Sequence, residues 1–516
     1  MKILKLFFFL IGTTFSFAQN VILDPNFGNV GNLVTEVSSV YGSDIRNLVV
    51  TADNKFISVG VIGLVNNNSL RIRLARHFSN GVLDISYGNN GIVDTFLCNY
   101  ESAFSSILQP DGKLLVGGRY TDDTTIGALL IRYNANGSLD TTFGVNGVVK
   151  IPFTDNYVED VREFLTISLF SDNKILVSGT SDQRFLNSVI TYSKLLKFNT
   201  NGTLDTSFGV NGKLLLNFPS SNVNMNYCVD TAILPDDTIL CSGYISDGST
   251  NQAVVIAKLN TDGSVFSSFG ANGLKIIDTT ANVFEACFKM IVNNNGSIYL
   301  SGASNVGFII KLLPNSDFDN SFGTNGIASH PFSTQFFDFQ DDKIAIASLY
   351  NASAPANTNS GYRFRRLNSD GSLDLSFNQP SNLFLADFNP YFQYISGCKV
   401  VNNKIIAFGS VRLDSNTGKS NFFMTRLLTD QNLNVNQNSI LNTTPKLYPN
   451  PNNGIVNFVF KNETDVIIYD VLGQKVFSQI GITANTIVQT NLKKGFYFVN
   501  YSDKFGEKGT LKMVVE

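Results

Sequence analysis

The chain has no tryptophan and only two histidines, His77 and His330, which lie in separate stretches. That scarcity excludes a multi-histidine metal site and leaves no basis for a histidine-dependent triad. Charged residues are also sparse, at 15%, with a net charge of −3 and no basic block. Binding a phosphate backbone needs clustered Lys and Arg, so nucleic acid is not an expected partner. After the first nineteen residues no stretch approaches eighteen consecutive apolar residues, so no transmembrane segment is expected. The five cysteines, Cys98, Cys228, Cys241, Cys287 and Cys398, are odd in number and widely spread, unlike a disulfide framework. Cys228 and Cys287 each precede a strand-ending glycine (Gly243, Gly302) by fifteen residues, so they hold equivalent places. The set reads as buried free thiols, with a single bridge as the alternative.

The first nineteen residues, MKILKLFFFLIGTTFSFAQ, form a secretory signal. Lys2 and Lys5 supply the charged start, Phe7 to Ile11 the apolar centre, and Ser16-Phe17-Ala18 a small-x-small site. Cleavage is expected between Ala18 and Gln19, giving a signal peptide of residues 1–18. No cysteine follows the cut, so no lipid anchor is expected there.

The feature present in abundance is repetition. NGSLDTTFGVNG at 136–147 returns as NGTLDTSFGVNG at 201–212. Looser copies place an aromatic residue at Phe27, Tyr87, Phe269, Phe322 and Phe377, equivalent to Phe143 and Phe208. Two further phrases keep step: a turn and strand (PDGKLLVGG from Pro110) and an apolar run ending in a base (LLIRYN, KLLKFN). Seven copies of three phrases define a tandem array.

Each period holds four strand-like runs; in the second repeat they are 103–109, 113–118, 128–134 and 147–153. With 43 Phe, frequent Val, Ile and Thr, and no helical periodicity, the chain reads as all-β. Four antiparallel strands in each of seven repeats suit a seven-bladed β-propeller over residues 20–429, with a β-solenoid as runner-up. The twelve-residue phrase then forms the joint between third and fourth strands. Asn136-Gly137 turns the chain, Asp140 accepts backbone N–H bonds, Phe143 fills a gap between blades, and Gly144 and Gly147 allow sharp bends. Its Asn and Asp spacing faintly suggests a calcium loop but lacks the ordered carboxylates and closing Glu. The array also starts with a joint and a fourth strand, and ends at Arg426 after a third strand. Residues 32–37 are therefore expected to complete the last blade and close the ring.

One position is basic in every repeat: Arg76, Arg132, Lys197, Lys258, Lys311, Arg366 and Arg426. It reads either as a ring of charge for an acidic ligand or as a partner for the joint's Asp eight residues on. Asp24 (for Arg426), Asp84, Asp140, Asp205, Asp319 and Asp374 fit the second reading; Phe266 breaks it beside Lys258. The LDxSFGxxGxV joint and PDGKLLVGG-like strand resemble the delta-60 repeats of secreted bacterial proteins. That resemblance implies a propeller-like scaffold with no assigned chemistry.

Residues 430–446 are rich in Asn, Gln and Thr and read as a linker. Residues 447–516 read as a separate small β-sandwich: Val466 to Ser478 as a hairpin turning at Gly473, then an alternating run after Gly495. Tyr448-Pro449-Asn450-Pro451, IYDVLGQKV (468–476) and LKKGFYFV (492–499, with Gly495 and Tyr497) resemble the type A C-terminal sorting domain of the type IX secretion system. The resemblance implies partners in the translocon and a sortase-like peptidase, and a secreted or outer-surface location; an ordinary Ig-like domain is the alternative. The weak basic end (Lys508, Lys512, then MVVE) departs from the family pattern.

No catalytic, cofactor or metal residues stand out. Asp44, Glu101, Asp160, Glu163 and Glu285 read as solvated loop carboxylates, although a carboxylate-only glycosidase or lyase stays open. The expected activity is non-catalytic binding or adhesion. Its unknown extracellular ligand would sit on the face carrying the variable loops 119–127, 180–188, 244–252, 349–362 and 411–421. Tyr120, Tyr350 and Tyr362 are the aromatics there that could stack on a sugar in the alternative, carbohydrate-active reading.

Overall fold

The structure, a computed structural model, describes residues 19–516 except 37–41, 64–69, 123–124, 154–162, 186–187, 219–222, 225–226, 247–251, 279–285, 305, 352–359, 379–382, 387–391, 413–418, 433–444, 449, 461, 483–485 and 507. Two compact units divide the chain after Gln431. Every described element is a strand or a turn.

In the first unit six four-stranded antiparallel sheets follow one another at 43–94, 100–153, 163–215, 227–277, 286–330 and 336–386. We number these blades 1 to 6. Blade 2 shows the common pattern, with Tyr100–Leu108, Leu114–Thr121, Ile126–Tyr133 and Val148–Phe153 paired in chain order. Blade 7 is built from both ends of the unit. Its three C-terminal strands, Phe392–Val401, Lys404–Arg412 and Ser420–Asn432, are joined by Asn32–Thr35, which pairs antiparallel with Phe422 to Thr425. A further strand, Gln19–Leu23, also pairs with Ser420–Asn432. This last pairing was not expected. Ser420–Asn432 runs three residues past 429, into the stretch read as linker. Likewise Lys446 opens the first strand of the second unit.

The blades adhere because each strand buries both faces. Alternate side chains of one strand enter opposite seams: Leu114 and Val116 pack toward blade 1, while Leu115 between them packs with Val177 of blade 3. Strands buried on both sides need near-continuous apolar runs, as LLVGG and ALLI supply. Seven apolar clusters fill the seams in succession, from blades 1 and 2 to blades 6 and 7. The seventh sets Ile45 and Leu48 of blade 1 against Ile406, Phe408 and Phe422 of blade 7.

Inner strands add polar stitches. The Asp230 carboxylate accepts the Thr231 N–H at 2.9 Å and the Met290 N–H of blade 5 at 3.1 Å. Asp338 does the same for Phe339 and for Val400 of blade 7, at 2.9 and 2.8 Å. The Asn47 amide bonds Leu48 N–H and the Ser106 carbonyl of blade 2. A side chain satisfying backbone groups on two blades avoids buried unpaired donors where inner strands meet.

The second unit pairs Lys446–Tyr448, Ile455–Val459 and Thr486–Gln489 in one sheet. Lys475–Ile482, Thr464–Asp470, Gly495–Asp503 and Lys508–Val515 form the other. Val456, Phe458, Ile468, Val499 and Met513 lie in the shared core.

Candidate functional site

The seven joints form the most regular polar constellation in the propeller. In blade 2 the Asp140 carboxylate accepts the Thr142 N–H at 3.1 Å and hydroxyl at 2.7 Å. Its other oxygen meets Arg132 at 2.7 Å and Lys113 at 3.2 Å. The Arg132 guanidinium lies over the Phe143 ring, 4.4 Å from its centroid, and donates to the Thr200 carbonyl of blade 3. Phe143 is fully buried, worth about 1.5–3 kcal/mol. Gly144 has φ +53° and its N–H donates to the Asn201 carbonyl of the next blade; a Cβ there would lie 2.3 Å from the Val148 oxygen. The blade 2 joint is thus a turn, an ion pair and an inter-blade latch.

The other joints follow the pattern. Arg76–Asp84, Lys197–Asp205, Lys311–Asp319, Arg366–Asp374 and Arg426–Asp24 lie 2.9, 3.9, 2.8, 2.7 and 2.8 Å apart. The matching aromatics Phe27, Tyr87, Phe208, Phe269, Phe322 and Phe377 are all buried. Six of the seven bases are therefore engaged within the fold, and the structural reading of that ring holds for them. Lys258 is the exception, placed over the Phe266 ring at 4.3 Å. Among the joint carboxylates, burial alone would raise Asp84 and Asp374. Hydrogen bonds from Ser86 and Lys55, and from Lys343 and Ser376, with Arg76 and Arg366 beside them, instead hold both near 2.

The expected loop-face residues divide differently. Asp160 and Glu285 lie outside the described residues, as does the Glu163 side chain. The Glu101 carboxylate is not solvated: it is buried, accepts the Leu97 and Cys98 N–H groups, and burial raises its pKa. Asp44 is half-buried, raised by burial, and takes the Ser396 hydroxyl of blade 7. The loops 119–127, 180–188, 244–252, 349–362 and 411–421 fall wholly or partly outside the described residues. Tyr120 and Tyr362 pack into apolar clusters, so neither offers a face to a sugar. The Tyr350 side chain is outside the described set.

Neither histidine faces solvent. His77 bonds Thr35 of the closing strand at 3.0 Å, and burial lowers it to about 4. Burial and the Arg365 charge lower His330 to about 4 as well. All five cysteines are free and buried, as the first reading has them, and the Cys228 and Cys241 thiols lie side by side. Among the described residues no group of three His, Cys, Asp or Glu side chains gathers to hold a metal ion.

In the second unit the Tyr-Pro-Asn-Pro segment ties one sheet to the other. Tyr448 pairs with Asn457 in the three-stranded sheet; its side chain and Pro449 lie outside the described residues. Asn450, which precedes Pro451 across a cis peptide, donates from Nδ2 to the Lys512 carbonyl and accepts the Val514 N–H at Oδ1, at 2.9 and 2.8 Å. The Asn452 N–H bonds the Val514 carbonyl, and its own carbonyl takes the Glu516 N–H. The motif thereby runs parallel to the end of the last strand. Gly473 turns the hairpin at φ +80°, with its N–H on the Asp470 carbonyl. Gly495 opens the next strand, where Tyr497 and Val499 face the core while Phe496 and Phe498 are exposed. The Tyr497 hydroxyl donates to the Lys493 carbonyl at 2.6 Å.

Residues 446–516 match the family described as secretion system C-terminal sorting domain. Residues 109–143, 171–208, 234–269 and 340–377 match the domain of unknown function (DUF5122) beta-propeller. The chain therefore carries a propeller of that repeat family and, behind it, a type IX sorting domain, which implies export by that system to the outside or the outer surface. No curated protein matches. Solved structures similar to it include PorZ, an essential bacterial surface component of the type IX secretion system of Porphyromonas gingivalis. It is 12% identical with a TM-score of 0.35, over 94% of this chain and 60% of that one. The phage phi92 endosialidase is 10% identical with a TM-score of 0.37, over 97% and 79%. Values this low carry no argument about function, and the chain spans 60% of the length of the PorZ chain it matches.

Proposed function

We propose that this protein is a non-catalytic binding and adhesion scaffold, secreted or held at the cell surface, whose C-terminal sandwich is the export signal. The sorting-domain match over residues 446–516 carries the reading. Residues 1–18 would direct passage through the inner membrane and be removed before Gln19. The translocon and a sortase-like peptidase would then act on the tail. The sandwich suits recognition by another protein, since Leu472, Ile480 and Phe496 are exposed to 81%, 82% and 68%. The propeller would present its ligand site on the face of the variable loops, with the joints holding the frame still.

Two experiments test the reading. A reporter carrying residues 1–18 in front and 430–516 behind should leave cells that have the type IX system and stay inside cells lacking it. Retention in both would count against the export role. Glycan and protein arrays probed with the secreted chain, run beside a polysaccharide hydrolysis screen, address the cargo. Turnover of any polymer would overturn the non-catalytic assignment.

A further inference from the structure

The seam between blades 4 and 5 departs from the repeat at four places at once. Phe266 stands where six joints have Asp, and Thr238 where five blades have the second lysine (Lys55, Lys113, Lys174, Lys343, Lys404). In blades 1, 2, 3 and 4 a backbone carbonyl (Ser79, Ala135, Thr200, Thr261) takes the preceding blade's base, whereas among the described residues the carbonyl of Pro314, at the same place in blade 5, takes no bond from Lys258. The Gly270 N–H lacks the bond to the next blade that Gly28, Gly88, Gly144, Gly209 and Gly323 all make. Two of the departures offset each other in charge, because losing the joint carboxylate is matched by losing one of its two cations. The other cation, Lys258, is kept.

Lys258 lines a pocket of about 570 Å³ at this seam. Among the described residues no carboxylate lies within 4 Å of its Nζ and no acceptor within hydrogen-bond distance; the Phe266 ring is its near neighbour. Asp236, the acid among the lining residues, takes the Thr238 hydroxyl at 2.6 Å and N–H at 3.1 Å on one oxygen and feels the Lys258 charge from beyond ion-pair distance. Leu234, Pro235, Val292 and Pro314 make apolar walls. A like-placed pocket of about 670 Å³ between blades 2 and 3 provides the contrast, because its Arg132 and Lys113 are both held by Asp140.

We infer that the blade 4–5 pocket is a binding site for an organic carboxylate with an aromatic or aliphatic body, its anion on Lys258 and its body against the prolines and Val292. A partly buried lysine whose ammonium has no acceptor gains a charge-assisted bond from an anion seated beside these apolar walls. The turns and joints that form the pocket lie at the end of the blades opposite the variable loops, so the inference stands apart from the proposed loop-face site.

The test titrates the whole secreted chain with phenylacetate and its neutral counterpart phenylacetamide by saturation-transfer NMR. Phenylacetate should bind, and phenylacetamide about tenfold more weakly. Lys258→Met should cost phenylacetate about tenfold. Phe266→Asp, which restores the carboxylate of the other joints above the Ser268 that would cap it, should compete for Lys258 and weaken binding similarly. Lys113→Met, in the other pocket, should leave it unchanged. Equal affinity for acid and amide, no binding of either, or binding indifferent to both Lys258→Met and Phe266→Asp would overturn the inference.

Discussion

Asp24→Ala should destabilise the propeller by about 3–5 kcal/mol, the range for removing one partner of a buried ion pair. Asp24 is fully buried and lies 2.8 Å from both Arg426 and Lys404. Burial alone would raise its pKa, but the Lys404 hydrogen bond, the Asn26 N–H and the Arg426 and Lys404 charges lower it overall. Arg426 is 402 residues away in sequence and also donates to the Ser79 carbonyl of blade 1. One carboxylate therefore anchors a base that spans the seam between the first and last blades. Its loss would leave a buried guanidinium facing no anion. Asp53→Ala makes the control: that acid is 60% exposed beside Lys55, and such surface pairs contribute about 0–1 kcal/mol. Urea titrations of the two variants should separate by several kcal/mol at unchanged slope.

The second large effect is acid sensitivity. His77 and His330 have folded pKa values of about 4 against an ordinary 6.5, so the unfolded chain binds more protons between those values. Stability attached to the neutral imidazoles is full above pH 6.5 and falls as pH drops toward 4, by about 3 kcal/mol for each. The joint carboxylates act in a lower window. Asp84, Asp205 and Asp374, held near 2, support the fold above their unfolded value of 3.8 and lose that support as pH falls toward 2. Unfolding free energy should therefore fall in two stages. His77→Gln with His330→Gln should flatten the upper stage and leave the lower one. A pH profile flat from 7 to 4.5 in the parent chain would contradict the burial of both rings.

The joints were legible because their chemistry is local and written in every period: Asp140 reaches Thr142 two residues on and Arg132 eight residues back. The alternation after Gly495 was legible for the same reason, and Tyr497 and Phe496 part to opposite faces as their spacing requires. Long-range pairing was less so. Asn32–Thr35 could be expected from the phase of the array, but Gln19–Leu23 could not, because its partner strand is some 400 residues distant and its five residues carry no repeat phrase. Tyr120 and Tyr362 looked like loop aromatics because their neighbours are polar. Their burial depends on which seam each strand end meets. At Lys258 the sequence showed a missing partner, yet only the packing of blade 5 shows that the gap is a pocket.

The central claim is that the chain's front end completes the last blade, and one cross-link tests it. Asn32 and Thr425 face each other in the register between strands from opposite ends of the propeller. Cysteines at both positions should oxidise to a single intramolecular disulfide, found by mass spectrometry as one peptide joining residues near 32 and 425. The closed chain should unfold at distinctly higher denaturant than its reduced form. Two thiols that stay free in the folded, oxidised protein, or that bridge only between molecules, would mean the ring is not shut in this way.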